Sequence, residues 1–227
     1  MTTIGAVCSG GGSALVAAYP FFEERGLRLT VVTDRACGIE DFCRAETLLC
    51  TRIDEGCNDR FSTRANEVFR RADVSAVFLY YDRLIGPALY DEWACINFHP
   101  SLLPAFQGFH ALEKAIEMQV SFLGQTCHIA DASVDAGPIL AQCIYPMERA
   151  DYNIKRAMDI SFVQKLALTL SFAGQTAERL PVKDFVEWWR GLPSSGPGGF
   201  LNPNVLTDDA KQLVLQHATR KHIRIEL

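Results

Sequence analysis

The stretch "TIGAVCSGGGSALVAAYPFFEERGLRLTVVT", residues 3–33, contains two apolar runs separated by a helical pattern. The first run, 3–8, stops at three consecutive glycines, Gly10, Gly11 and Gly12. Ala14 to Glu24 carries helical periodicity, and "LRLTVVT" (27–33) is apolar again. Strand, glycine turn, helix, strand is the unit from which parallel sheets are built, and it repeats downstream. A short helix is expected near 39–46, an edge strand within "ETLLCT" (46–51), and a helix over 60–72 with Ser62 as its N-cap. Strands follow at "VSAVFLY" (74–80) and "WACINFH" (93–99). After residue 118 the pattern changes to two strands, 122–130 and 138–146, joined by "DASVDAG" as a hairpin. A long helix over about 153–174, a turn-rich stretch at 191–204 and a short helix at 207–217 complete the chain. These features predict an α/β fold: a mostly parallel twisted sheet flanked by helices, made mixed by a late antiparallel hairpin.

The 227 residues suit one large domain or two small ones. Hydrophobic residues make up 48% and charged residues 22%, ordinary values for a globular protein. A formal net charge of −5 argues against a dedicated nucleic-acid binder, which carries a basic stripe. No signal-like leader and no membrane-length apolar run are visible, so no membrane partner and a cytoplasmic location are expected. The spacings among Cys37, Cys43, Cys50 and Cys57 do not match the close pairs of zinc sites, so reduced thiols and no metal are expected.

Open sheets of this kind bind ligands beyond the carboxyl ends of their strands. Three segments sit at such ends: "CSGGGS" (8–13), "YYDRLIG" (80–86) and "NFHPSLLP" (97–104). Asn97 and His99 have one residue between them, so on an extended strand they point the same way. Pro100 and Pro104 stiffen the loop that follows. Asp135 lies on the loop that opens the second hairpin strand, with Gly137 and Pro138 fixing its turn. An amide donor, an imidazole and a carboxylate could thus meet in one cleft. No serine or cysteine lies in a nucleophile elbow, so a covalent acyl intermediate is not the natural reading.

"NFHPSLLPAFQG", followed by "GQTCHIADASVDAGPILAQ", resembles the signature of the folate-dependent formyltransferases. Asn97, His99 and an Asp-x-Gly-Pro turn at Asp135, after a Thr-x-His strand, stand at the family spacing. Within that superfamily the chain is most similar to the glycinamide ribonucleotide transformylases, through "SGGGS", "GFHALEKAI" and its length. The resemblance covers residues 3 to about 175; a catalytic domain over 1–176 with a packed C-terminal extension over 177–227 is expected. It implies a Rossmann-like formyltransferase fold and formyl transfer from 10-formyltetrahydrofolate to a primary amine of a small, phosphorylated acceptor. Asn97, His99 and Asp135 would be catalytic: Asn97 and His99 as donors to the oxyanion, Asp135 as proton acceptor. His128 would hold the Asp135 loop, and the carboxylate beside His99 should favour its imidazolium form. Tyr80, Tyr81, Asp82, Arg83, Leu84, Ile85 and Val134 would line the folate pocket. Gly10, Gly11, Gly12, Ser13, Arg64 and Gln164 would meet the acceptor, the glycine loop through its backbone amides. His110, just past Gly108, could face the cleft; a monomer or homodimer is expected.

Several positions depart from the transformylase pattern. Two asparagines of the phosphate loop are replaced by Gly11 and Ala14, and the acidic residue that meets the acceptor ribose aligns with Gln164. Tyr80 and Tyr81 look like the pair of some amino-sugar formyltransferases. The departures fall on ligand contacts and spare the catalytic trio, which implies an altered acceptor. The alternatives are an amino-sugar-nucleotide N-formyltransferase and a formyltetrahydrofolate hydrolase. The hydrolases usually add an N-terminal regulatory domain, whereas this chain begins at its first strand. Transfer to initiator methionyl-tRNA would need a further C-terminal domain and a basic surface.

Overall fold

The computed structural model describes residues 2–175, 182–192, 200–202 and 204–227. β1 (Thr3–Cys8) is buried throughout, because helices cover both faces of the sheet at its centre. Its Ile4, Ala6 and Cys8 enter one apolar cluster, and Val7 enters another on the opposite face. Gly5 also faces that second layer, where a Cβ would lie 2.9 Å from the Phe69 ring. Alternation along one strand therefore builds two cores.

β1 is followed by α1 (Ser13–Glu24), β2 (Arg28–Thr33), α2 (Gly38–Ala45), β3 (Leu49–Arg52), α3 (Asn58–Ala72) and β4 (Val74–Tyr80). Next come α4 (Pro87–Tyr90), β5 (Cys95–His99), α5 (Ala111–Glu117), β6 (Phe122–Ile129) and β7 (Ile139–Pro146). The chain continues with α6 (Ile154–Ala173), α7 (Val182–Arg190), β8 (Leu201–Asn202) and α8 (Asp208–Arg220). The sheet order is β3-β2-β1-β4-β5-β6-β7-β8. The first five strands pair in parallel; β5–β6, β6–β7 and β7–β8 are antiparallel. The predicted α/β architecture and its late hairpin are present. Connections leave β1 in opposite directions, toward β2 and toward β4, so a crevice opens at their carboxyl ends.

Local expectations met corrections. α3 begins at Asn58, with Cys57 as its N-cap, rather than at Ser62. Ser62 is buried inside the helix and accepts the Gly86 N–H at 2.7 Å, so its hydroxyl anchors the loop after β4. Within 191–204, described as turn-rich, Leu201–Asn202 pairs with Gln142 and Cys143 and extends the sheet; residues 193–199 and 203 lie outside the described residues. Trp189 is 1% exposed, stacks on Phe172 at 3.7 Å, and donates its indole N–H to the Leu140 carbonyl. Large rings with one polar atom pack in this way. All eight cysteines are free thiols. No described helix is long and apolar enough to cross a membrane, and no metal-binding cluster of His, Cys, Asp or Glu occurs among the described residues.

Candidate active site

A cleft of about 780 Å³ opens at the carboxyl ends of β1, β4 and β5. Its floor is set by the β5–β6 pair, in which Asn97 lies opposite His128 and His99 opposite Thr126. Side chains directly opposite in an antiparallel pair share a face and stand close together. Thr126 holds the next loop: it accepts the Leu103 N–H at 3.0 Å and donates to the Ser101 carbonyl at 2.7 Å. The strand thus fixes the loop that carries the chain away from His99.

Asp135 arrives from the loop between β6 and β7. Its φ is +51°, in the left-handed region that Asp tolerates better than most residues. The turn leaves no room at Gly137, where a Cβ would stand 2.0 Å from the Ile129 carbonyl oxygen. The carboxylate accepts the Gly108 N–H at 2.8 Å and Asn97 Nδ2–H at 3.3 Å. It faces His99 Nδ1 at 3.2 Å and His128 Nε2 at 3.4 Å. The loop is tied down again where Gln107 donates to the Asp135 carbonyl at 3.1 Å. Asn97, His99, Asp135 and His128 therefore form one connected cluster, as their spacing anticipated.

The hydrogen bonds constrain the protons. His128 Nδ1 lies 3.0 Å from the Ile129 carbonyl and must donate there, which turns the Nε2 lone pair toward Asn97 Nδ2 at 3.1 Å. Asn97 thus spends one amide hydrogen on His128 and aims the other at Asp135. His99 Nε2 lies 2.8 Å from the Phe106 carbonyl, so both ring nitrogens of His99 face acceptors. Phe106 presents that carbonyl from a left-handed conformation (φ +55°), and His110 nearby is also left-handed (φ +63°). Each such residue costs about 1–3 kcal/mol of backbone strain.

Electrostatics correct one expectation. Burial pulls the His99 pKa below its ordinary value; the Phe106 carbonyl and the Asp135 charge oppose this but do not overcome it. Being 5% exposed, the ring is too desolvated to favour its charged form. Burial also opposes ionisation of Asp135. The His128 side chain 3.4 Å away, the Gly108 amide and His99 outweigh it and hold the carboxyl below the usual range. Two acceptors flank a ring that carries one hydrogen, so the site is one proton short.

The remaining predicted contacts separate into groups. Gly10, Gly12 and Ser13 line the cleft, whereas Gly11 lines a neighbouring groove against α2 and α6. Gly12, the N-cap of α1, has φ +58°, and no side chain caps the helix. Its first amides are therefore open to an anion. Tyr80 to Ile85 and Val134 form another wall, with Leu84 and Val134 half exposed at the mouth. Tyr80 stacks on Phe98 and hydrogen-bonds Thr169 at 2.6 Å, while Tyr81 stacks on Phe61. The Tyr81 hydroxyl is buried with no partner among the described residues. Two side chains of this segment are already engaged: Asp82 accepts from Arg35 at 2.9 Å, and Arg83 donates to the Glu55 and Gly56 carbonyls and to Asn58.

Arg64 and Gln164 are not brought to the cleft. Arg64 is on the exposed face of α3, outside the cleft lining. Gln164 is completely buried and donates to the Leu123 carbonyl at 3.1 Å, so its side chain serves α6–β6 packing. Its neighbour Lys165 lines the cleft instead, with Met158 two turns earlier. Lys165 was missed by the sequence reading; the available signal was a charge inside the apolar run "FVQKLALTL". Phe109, 60% exposed, also lines the cleft unforeseen.

Comparisons with known proteins agree with this geometry. The Formyl transferase family model matches residues 34–159, more than half of the chain. The phosphoribosylglycinamide formyltransferase of Mycobacterium tuberculosis is 41% identical over 80 residues, which span 34% of this chain and 36% of that relative. A glycinamide ribonucleotide transformylase structure from Symbiobacterium toebii superposes with a TM-score of 0.69 at 28% identity, over 83% of this chain and 89% of that one. A formyltetrahydrofolate deformylase from Pseudomonas putida shares the fold, with a TM-score of 0.63 at 20% identity, over 76% of this chain and 64% of that one. The matched relatives, the sheet order and the clustered residues agree: this chain belongs to the formyl transferase family.

Proposed function

We propose that the protein transfers the formyl group of 10-formyltetrahydrofolate directly to a primary amine of a small acceptor. The observation that carries this is the convergence of Asn97, His99 and the Asp135 carboxylate in one cleft, with His99 and Asp135 3.2 Å apart and one proton short. The amine nitrogen attacks the formyl carbon, and the carbonyl oxygen becomes an oxyanion. The proton shed by the amine enters between Asp135 Oδ2 and His99 Nδ1, where the ring can then satisfy both of its acceptors. Asp135 thereby loses acceptor strength, which frees the Asn97 hydrogen held at 3.3 Å to turn to the oxyanion. One preorganised donor of this kind is worth about 3–4 kcal/mol. Collapse breaks the bond from carbon to the folate nitrogen, and the stored proton leaves on that nitrogen. No enzyme nucleophile takes part.

The wall formed by Tyr80 to Ile85 and Val134 is assigned to the folate, whose ring needs an apolar slot with backbone polar groups. The glycine loop and the open N-terminus of α1 are assigned to the acceptor, with a phosphate favoured there. Arg64 has no part in this assignment. The test is incubation with 10-formyltetrahydrofolate, with and without candidate amines: glycinamide ribonucleotide and amino-sugar nucleotides. Turnover that depends on an amine supports transfer. Turnover that proceeds equally without one would make the protein a hydrolase, and no turnover with any of them would defeat the reading.

A further inference from the structure

Of the charged groups lining the cleft, all but one are answered. Asp82 meets Arg35, Arg83 meets Glu55, Gly56 and Asn58, and Asp131 accepts both the N–H and the hydroxyl of Ser133. His110 faces Glu113 at 3.8 Å, and the three groups of the reacting cluster hold one another. Lys165 is the exception: among the described residues its ammonium has neither a carboxylate nor a hydrogen-bond acceptor.

Its surroundings make that isolation costly. Lys165 is half-buried on α6, and the next three residues, Leu166, Ala167 and Leu168, are wholly buried. It stands near Cys8 at the end of β1 and His99 at the end of β5, and its charge bears on both. Burial holds the ammonium's own pKa below its ordinary value. The Cys8 thiol, itself pushed up by burial, is no counter-ion. An ammonium withdrawn from water without an anion is unfavourable, and a bound anion removes that penalty. The uncapped first turn of α1, which lines the same cleft, offers amides of the same electrostatic sign.

We propose that Lys165 receives an oxyanion, phosphate or carboxylate, carried by the amine acceptor, and so selects anionic amines over neutral ones. This rests on the formyl-transfer reading. The assignment is to the acceptor because Lys165 stands near Cys8, whose sulfur lies 3.7 Å from the place a Cβ would take on Gly12 of the glycine loop.

The test uses the full chain with lysines labelled with carbon-13 at Cε. The resonance missing from Lys165→Met identifies Lys165. Inorganic phosphate and acetate are titrated separately at fixed ionic strength. The Lys165 signal is expected to saturate at about tenfold lower anion concentration than those of the exposed Lys114 and Lys155, as a charge-assisted hydrogen bond in a desolvated site implies. Saturation by phosphate alone indicates a phosphorylated acceptor, and by acetate alone a carboxylated one. A Lys165 signal that tracks the exposed lysines with both anions overturns the proposal. Affinity for 10-formyltetrahydrofolate, measured in parallel, should be equal in the wild type, Lys165→Met and Lys165→Arg. A loss confined to Lys165→Met would move the residue to the folate and defeat the assignment. If the wild type fails to bind 10-formyltetrahydrofolate at all, the formyl-transfer reading fails while the anion result stands by itself.

Discussion

Asp135→Asn keeps the side chain's size and removes its negative charge together with one acceptor. The asparagine oxygen can retain the Gly108 N–H, now at 2.8 Å. That oxygen, in the Oδ2 place, also faces His99 Nδ1, 3.2 Å away in the native site, and the amide nitrogen takes the Oδ1 place beside Asn97 Nδ2 and His128 Nε2. A neutral amide cannot take up the proton that the attacking amine sheds, so the variant lacks the acceptor on which the proton route depends. Removing a positioned general base costs about 10²–10⁴-fold, or about 2.7–5.4 kcal/mol of barrier at 1.36 kcal/mol per decade. Asn tolerates the left-handed backbone as Asp does, so the fold should survive. The assay is kcat/KM for 10-formyltetrahydrofolate with an amine that supports turnover, beside a thermal melt of each protein. A folded variant that keeps more than about a tenth of the wild-type kcat/KM would refute the proton route derived above.

Three further outcomes follow from the same structure. The depressed pKa of His99 means that the unfolded chain takes up a proton before the native one does; stability should be complete above about pH 6.5 and fall progressively as pH drops below it. Transfer should lose rate on the same acid side, because a protonated ring leaves no place for the amine's proton. Denaturant midpoints and kcat/KM measured over the acidic range check both, and His99→Asn should flatten the rate limb. Gly137→Ala, with its Cβ 2.0 Å from the Ile129 oxygen, must displace the Asp135 loop. A loss of about 1–3 kcal/mol in denaturant stability, as in overpacked sites, should accompany a drop in turnover; unchanged values in both would mean the loop has more room than described. Trp189→Ala empties a stacked, buried site against Phe172 and should cost about 3–5 kcal/mol. Melting with the wild-type midpoint would show that α7 adds nothing to stability.

The strands and helices around the glycine turn were legible because periodicity and glycine placement are local properties. The reacting cluster was legible because Asn97 and His99 share a strand face and the turn at Gly137 admits no side chain. What escaped depended on tertiary contacts. Ser62 has the composition of an N-cap, but the buried Gly86 N–H claims its hydroxyl. Gln164 aligns with a ligand contact, yet helix rotation turns it into the core and presents Lys165. The Asp135 charge predicted a charged His99, but burial, which no spacing reveals, reverses the direction. The Phe106 carbonyl depends on a backbone angle that a phenylalanine does not announce.

β6 runs back against β5 with Asn97 opposite His128 and His99 opposite Thr126. A slip of one residue would send His128 and Thr126 to the reverse side of the sheet. It would break the tie to Asn97 and the grip on Ser101 and Leu103 in a single step. Ladder pairing thus guards the reactive centre, whereas the glycine loop and the mouth residues answer to no such register. Loops can be exchanged around an inherited core, so transplanting the 9–14 segment between relatives should redirect substrate choice while the proton path stays intact.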